Sequence, residues 1–201
     1  MTLEEPTILC VIPARAGSTR IPGKNMKMFH GKPIIQYSIE KAQESGLFTD
    51  IVVTSDSTET LDFIVSLGAI ARLRPTNLAH NDVGTQEVAR EVLEWFDDCQ
   101  TLCVIYATAP LMSVEDLRRG KQLLDTKGLD YVYAGGEHPP ADAGQFYWCK
   151  REPVLARRPL TGLKTWRLLV TAERVCDINT PQDWARAEAM FLNLKKAVPH
   201  E

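Results

Sequence analysis

Apolar residues along this chain fall into short runs that alternate with stretches of helical periodicity. Ile8-Leu9-Cys10-Val11 reads as a buried strand. After a polar loop, Pro33 suits a first helical position, and Ile34, Ile35, Ile39 and Ala42 form one apolar stripe that Gly46 ends. Ile51-Val52-Val53-Thr54 predicts a second strand. Asp56-Ser57-Thr58-Glu59 then has the form of a capping box for a helix carrying Leu61, Ile64, Val65 and Leu67, closed by Gly68. Residues 69–73 predict a third strand, and 85–96 a helix with Val88, Val92 and Trp95 on one side. Leu102-Cys103-Val104-Ile105-Tyr106 is continuously apolar, as a central strand covered on both faces requires. A helix over 114–126, a strand at Tyr131-Val132-Tyr133 and later strands at 145–149 and 168–171 follow. In the final helix Trp184, Ala187 and Phe191 share a face that is expected to cover the sheet. This order predicts one α/β domain over residues 1–201: a mostly parallel, Rossmann-like sheet with helices on both faces and right-handed crossovers. Ligands then belong at the carboxyl ends of the strands.

The segment after the first strand carries the most specific chemistry. Residues 12–25 read Ile-Pro-Ala-Arg-Ala-Gly-Ser-Thr-Arg-Ile-Pro-Gly-Lys-Asn. Gly17 and Gly23 stand where the backbone approaches a ligand closely, and Arg15, Arg20 and Lys24 can neutralise polyphosphate oxygens. Backbone N–H groups in such a turn add an anion-binding concavity. The loop is not a Walker A motif, because five residues separate Gly17 from Gly23 and Asn25 stands where a Ser or Thr would bind magnesium. No G-x-G-x-x-G is present either. A nucleoside triphosphate suits the loop; a polar surface loop with chance cations is the plainer alternative.

Composition narrows the setting. The chain has 201 residues, 44% of them hydrophobic, and a formal charge of −3. Nothing in that balance draws it to nucleic acid or to an anionic membrane, so its cations act locally. Five cysteines (Cys10, Cys99, Cys103, Cys149, Cys176) without a C-x-x-C pair read as reduced thiols. The acidic start Met1-Thr2-Leu3-Glu4-Glu5-Pro6 has no apolar signal core, no run reaches spanning length, and a cytoplasmic location is the expectation. The four histidines show no metal spacing.

Five segments in order resemble the cytidylyltransferases that activate nonulosonic acids, sialic acid and its bacterial relatives. They are the loop at 12–25; Arg74-Pro75-Thr76-Asn77-Leu78-Ala79 with Thr85; Tyr106-Ala107-Thr108-Ala109-Pro110-Leu111; Asp142-Ala143-Gly144-Gln145-Phe146-Tyr147-Trp148, typical of the pseudaminic acid branch; and Asp177-Ile178-Asn179-Thr180-Pro181-Gln182-Asp183-Trp184. The resemblance implies a nucleotidyltransferase sheet and transfer of CMP from CTP to the anomeric hydroxyl of an acidic nine-carbon sugar, with release of pyrophosphate and a requirement for Mg2+.

By motif position, Arg15 and Lys24 are the main phosphate contacts, with Asp177 the third catalytic residue and Ala14, Ala16, Gly17, Ser18 and Asn25 completing the phosphate loop. Arg74 and Thr85, with Val83 through its backbone, are implied to read cytosine; a helix-capping Thr85 and an ion-paired surface Arg74 are the alternatives. Tyr106, Thr108 and Gln145 are implied to face the sugar, though a strand Gln is equally a paired polar side chain. Asp177 and Asn179 are implied to hold the metal. Asn179 stands where the family commonly has a second Asp, and a capping Asp177 is the alternative. The family's long arm between Tyr133 and Asp142, which dimerises and closes over the sugar, is reduced to residues 134–141. That shortening leaves the usual homodimer and lid in question. Arg157, Arg158 and Lys164 are candidate substitute cations, with solvated surface roles the alternative. The shortened arm and Asn179 also motivate a second reading, a catalytically impaired CTP-binding homologue that serves as a regulatory or partner subunit.

Overall fold

A computed structural model describes residues 7–137 and 142–197. Nine strands and six α-helices occur among them, seven of the strands in one sheet. β1 (Ile8–Pro13) lies between β4 (Asp50–Ser55) and β6 (Thr101–Ile105), parallel to both, and β5 (Ile70–Leu73) extends the parallel half beyond β4. On the other side β8 (Asp142–Lys150) runs antiparallel to β6 and to β7 (Tyr131–Gly135), and β9 (Thr165–Leu169) pairs parallel with β7. β2 (Met28–Phe29) and β3 (Lys32–Pro33) form a separate small hairpin that the hydrophobic pattern does not reveal, because two-residue strands have no period.

The central strands feed two cores at once. Cys10, Ile12, Cys103 and Ile105 point to the side of α1 (Ile34–Ser45), α2 (Thr58–Ser66) and α4 (Val114–Thr126). Leu9, Val11, Leu102 and Val104 point to the side of α3 (Thr85–Leu93) and α5 (Arg151–Leu155). Successive residues face opposite sides of a strand, so only an unbroken apolar run satisfies a sheet covered on both faces. All five residues of β6 are buried.

Several boundaries differ from the sequence reading for local reasons. Pro33 ends β3 and caps α1 with ψ 138° instead of entering it. α2 is capped by Ser57, whose hydroxyl accepts from Thr60 N–H, one residue later than the box at Asp56. α3 stops at Leu93, so Trp95 leaves the apolar side and lies exposed beneath the Arg72 guanidinium, 4.1 Å from its ring centroid. β9 begins at Thr165 and ends before Val170.

α6 (Pro181–Ala197) does not cover the sheet. Its Trp184, Ala187 and Phe191 join Phe29, Tyr37, Ile34 and Ile21 in a third cluster over the small hairpin. Phe29 sits edge-on to both Trp184 and Phe191, at 5.5 and 5.4 Å between centroids, a favoured aromatic arrangement. This cluster also pins Ile21 in the middle of the phosphate loop. All five cysteines are buried and free. Among the described residues no helix is long and apolar enough to cross a membrane.

Candidate active site

Four parallel strands end at one cleft of about 480 Å³. β1 leads into Arg15, β5 into Arg74 and β6 into Tyr106 and Thr108, while β4 leads into Asp56 beside it. Ser18, Arg20, Lys24, Asn25, Val83, Thr85, Asp177 and Asn179 complete most of the lining.

The phosphate loop is held from both sides. Ala16 N–H donates to Asp56 Oδ1 at 2.7 Å, and Asn25 Nδ2 donates to the Arg15 carbonyl at 2.9 Å. Gly23, at φ 61°, makes the left-handed turn that starts the short helix Lys24–Met26. With Ile21 buried below, Arg20 and Lys24 on either side of it are presented to the cleft. Ala14 is buried and its N–H is committed to Thr54 O, so it contributes chain direction to the cleft and no wall. Ala16 and Gly17 likewise contribute through backbone: Ala16 N–H is spent on Asp56, and Gly17 O accepts from Arg15.

The cations of the cleft rest on neutral oxygens. Arg15 Nη1 donates to Gly17 O at 2.7 Å and to Asn81 Oδ1; Arg20 Nη2 donates to Asn179 Oδ1 at 2.9 Å; Lys24 Nζ donates to Ile178 O at 2.7 Å. Arg74 is buried and donates to Thr54 O at 2.9 Å and to Thr54 Oγ1 at 3.3 Å, leaving further N–H groups for a ligand. Among the described residues none of these four forms a salt bridge, so Arg74 is not the surface ion-pair partner of the alternative reading. Burial draws the Lys24 ammonium below its ordinary pKa, aided by Arg20 and Arg15 and opposed by Asp177. Burial also lowers the Arg74 value, with Asp56 acting against it.

Thr85 is the first residue of α3, and Gly84 caps that helix without a side chain, so Thr85 is not its N-cap. Its hydroxyl lies 3.0 Å from the buried Tyr147 hydroxyl. Tyr106 is held through its backbone, with N–H on Gln145 O and O accepting from Ser38 Oγ, both at 2.8 Å. Burial, then the carboxylates of Asp142 and Asp177, push its hydroxyl well above the usual tyrosine range, so it stays protonated.

Asp177 does not cap the last helix. Thr180 and Asp183 do so reciprocally: Asp183 Oδ2 accepts from Thr180 N–H at 2.9 Å, and Thr180 Oγ1 accepts from Asp183 N–H at 3.2 Å. Burial pushes the Asp183 carboxyl up, but the Thr180 hydroxyl and the amides of Asn179 and Thr180 outweigh it and hold it low. Asp177 lies in an extended loop after the turn Ala172–Arg174, not at a strand end. Its Oδ2 accepts from Asn179 Nδ2. Asn179 therefore bridges Arg20 and Asp177, with its carbonyl oxygen already occupied by the guanidinium.

One further expectation is corrected, and two others are located. Gln145 does not face the cleft: it is buried, and its Nε2 donates to Arg174 O at 2.6 Å. Arg158 pairs with Asp130 and Glu152 on a different surface, and Lys164 lines a separate hollow there; Arg157 is exposed and lines neither. Of the shortened arm, residues 134–137 are described and 138–141 lie outside the described residues; Gly135 pairs with Asp142 in the ladder. Sequence reasoning also missed Asn81, the partner of Arg15, and the proximity of Asp142 to Tyr106. Asn81 stands between the quoted Arg74 segment and Thr85, and Asp142 opens a quoted motif, so position alone could have flagged both.

Hard oxygen donors suit a Mg2+ ion, and Asp177 is a carboxylate on the cleft wall. Among the described residues no cluster of three or more His, Cys, Asp or Glu could cage a metal alone. The site therefore fits a cation that takes one protein carboxylate and completes its shell from substrate phosphates and water.

The arrangement is that of an α/β protein with a cation-rich cleft at the carboxyl ends of its parallel strands. The chain belongs to the cytidylyltransferase family, whose profile matches residues 9–138. It is 36% identical over 134 residues to the pseudaminic acid cytidylyltransferase of Campylobacter jejuni, covering 64% of this chain and 58% of that protein. It is 35% identical over 133 residues to the CMP-N,N'-diacetyllegionaminic acid synthase of Legionella pneumophila, covering 62% of this chain and 56% of that protein. These alignments thus span less than two thirds of those curated relatives. Among solved structures, a CMP:2-keto-3-deoxy-manno-octonic acid synthetase complexed with CTP superposes with a TM-score of 0.74 at 16% identity, over 94% of this chain and 99% of that one.

Proposed function

We propose that this chain transfers CMP from CTP to the anomeric hydroxyl of an acidic nine-carbon sugar of the pseudaminic or sialic acid type, with Mg2+. The observation that carries this reading is the set of four cations, Arg15, Arg20, Lys24 and Arg74, that share one cleft and, among the described residues, form no salt bridge. A polyanion would supply the missing charge. The activities of the relatives supply the base and the acceptor class.

In this reading Arg15, Lys24 and Ser18 hold the triphosphate, and Asn25 and the backbone of Ala14, Ala16 and Gly17 keep the loop in shape. Arg74 donates to the acceptor edge of cytosine, while Thr85 and the Val83 backbone receive its amine. Tyr106 and Thr108 lie on the wall where the acceptor would sit, and the protonated Tyr106 hydroxyl can donate to it. Asp177 would hold the cation, with the Asn179 oxygen, which also accepts from Arg20, beside it. The chemistry a Mg2+ held there would supply is neutralisation of phosphate charge. The chain's own share is orientation: reaction needs the sugar oxygen in line with the α-phosphorus and pyrophosphate as the leaving group.

Pyrophosphate release from CTP and Mg2+ over a panel of nonulosonic acids tests the reading, together with calorimetry of CTP and UTP. The expected result is release with an acid of this class and tighter binding of CTP than of UTP. Equal affinity for the two nucleotides would remove base readout, and binding without release on any acceptor would favour a non-catalytic homologue.

A further inference from the structure

Gly144 sits three residues into β8 with φ 64°, in the left-handed region. A β-carbon added there would lie 2.7 Å from Cα, Cβ and Oδ1 of Asp177. Real β-carbons do not approach other atoms so closely, and here one of the atoms met is backbone. The neighbouring residue adds a second link. Gln145 is 2% exposed; its Nε2 donates to Arg174 O at 2.6 Å and its backbone O accepts from Tyr106 N–H at 2.8 Å. The start of β8 thus binds the Tyr106 wall of the cleft to the segment that carries Asp177. Asp177 is not held as a helix cap, since Asp183 fills that role, and its carboxylate is steered by Asn179 Nδ2 and by contact with Gly144.

We propose that Gly144 and Gln145 are positioning residues for Asp177. Gly144 leaves the space into which the Asp177 backbone and carboxylate settle, and Gln145 sets the course of the chain leading to it. Neither touches substrate. The proposal rests on the reading of Asp177 as a cation ligand.

The test is Mn2+ binding to the CTP-bound protein, read from the free-ion signal in electron paramagnetic resonance. CTP affinity in EDTA and thermal melts are measured beside it. Gly144→Ala is expected to weaken Mn2+ binding about tenfold or more, the scale of losses when a ligand's supporting partner is changed. Gln145→Met, which keeps the bulk and removes the donor, is expected to weaken it by a smaller factor. Metal-free CTP affinity should stay within about twofold in both, because the phosphate loop is untouched. Should Gly144→Ala fail to fold, Gln145→Met decides by the same measurement. Unchanged Mn2+ binding in the folded variants, or equal losses of Mn2+ and metal-free CTP binding, overturns the proposal while Asp177→Asn still weakens Mn2+. Unchanged Mn2+ binding in Asp177→Asn overturns the reading of Asp177 itself, and the positioning role with it.

Discussion

Arginine and lysine are treated differently inside the cleft and outside it. Outside it several meet carboxylates: Arg158 pairs with Asp130 and Glu152, Arg72 with Glu91, and Lys150 with Asp125, while Arg118 and Arg174 tie distant segments together through backbone carbonyls. In the cleft Arg15, Arg20 and Lys24 rest on amide and carbonyl oxygens. A neutral oxygen orients a cation without cancelling its charge, so the field remains available to an incoming anion. The chain as a whole is anionic at −3, so this positive cleft is a local construction. Placing a cation there works against folding: burial lowers the Lys24 pKa, with Arg20 and Arg15 adding to it and Asp177 opposing it.

Removing a cleft cation should produce the largest effect. Arg15→Ala and Lys24→Ala are each expected to lower kcat/KM by roughly 100-fold or more, about 3 kcal/mol of lost charge stabilisation. Folding stability should change little, because among the described residues neither side chain forms a salt bridge. Pyrophosphate release measured beside thermal melts checks this; a variant that melts far lower yet turns over normally once folded would make that residue structural.

Giving one cleft cation a carboxylate should erase the distinction locally. In Asn179→Asp the Arg20 guanidinium gains an ionic partner, and metal-free CTP affinity is expected to fall several-fold. The same change places a second anion beside Asp177, so the Mg2+ concentration for half-maximal rate should drop. Opposite movement of the two titrations is the signature. If CTP affinity holds, Arg20 takes no part in nucleotide binding.

Alkaline titration addresses Lys24 by its proton. Its pKa in the free protein lies below the ordinary 10.5, so as pH rises the ammonium is lost earlier than in an exposed lysine. Because the folded value is the lower one, lysine protonation opposes folding below it, and this penalty disappears as pH rises toward the unfolded value. Binding moves the other way, since CTP needs the charge. The alkaline limb of kcat/KM for CTP should therefore fall below 10.5 and shift upward in Lys24→Arg. An unmoved limb assigns that titration to another group.

The smallest effect belongs to the outer surface. Arg158→Ala removes two ion pairs of an exposed guanidinium, and the expected result is a small change in melting with unchanged kinetics. A large kinetic loss there would return Arg158 to the list of sugar-binding candidates.

The seven strands of the main sheet, five of the six α-helices and the cation-rich loop were legible in the sequence. β6 and α4 were legible because an unbroken apolar run and a 3.6-residue stripe are each forced by burial on two faces or on one. The loop was legible because cations and glycines at fixed places in the chain act within a few residues of one another. What the sequence left open involved contacts between distant segments. Folding in three dimensions turns Gln145 to Arg174 and not the cleft, sets the Asn179 oxygen against Arg20, packs α6 on the small hairpin and brings Gly144 against Asp177. A side chain's partner across the fold depends on where two strands or loops converge. Local periodicity carries no record of that convergence, because burial selects for apolarity but not for a particular neighbour.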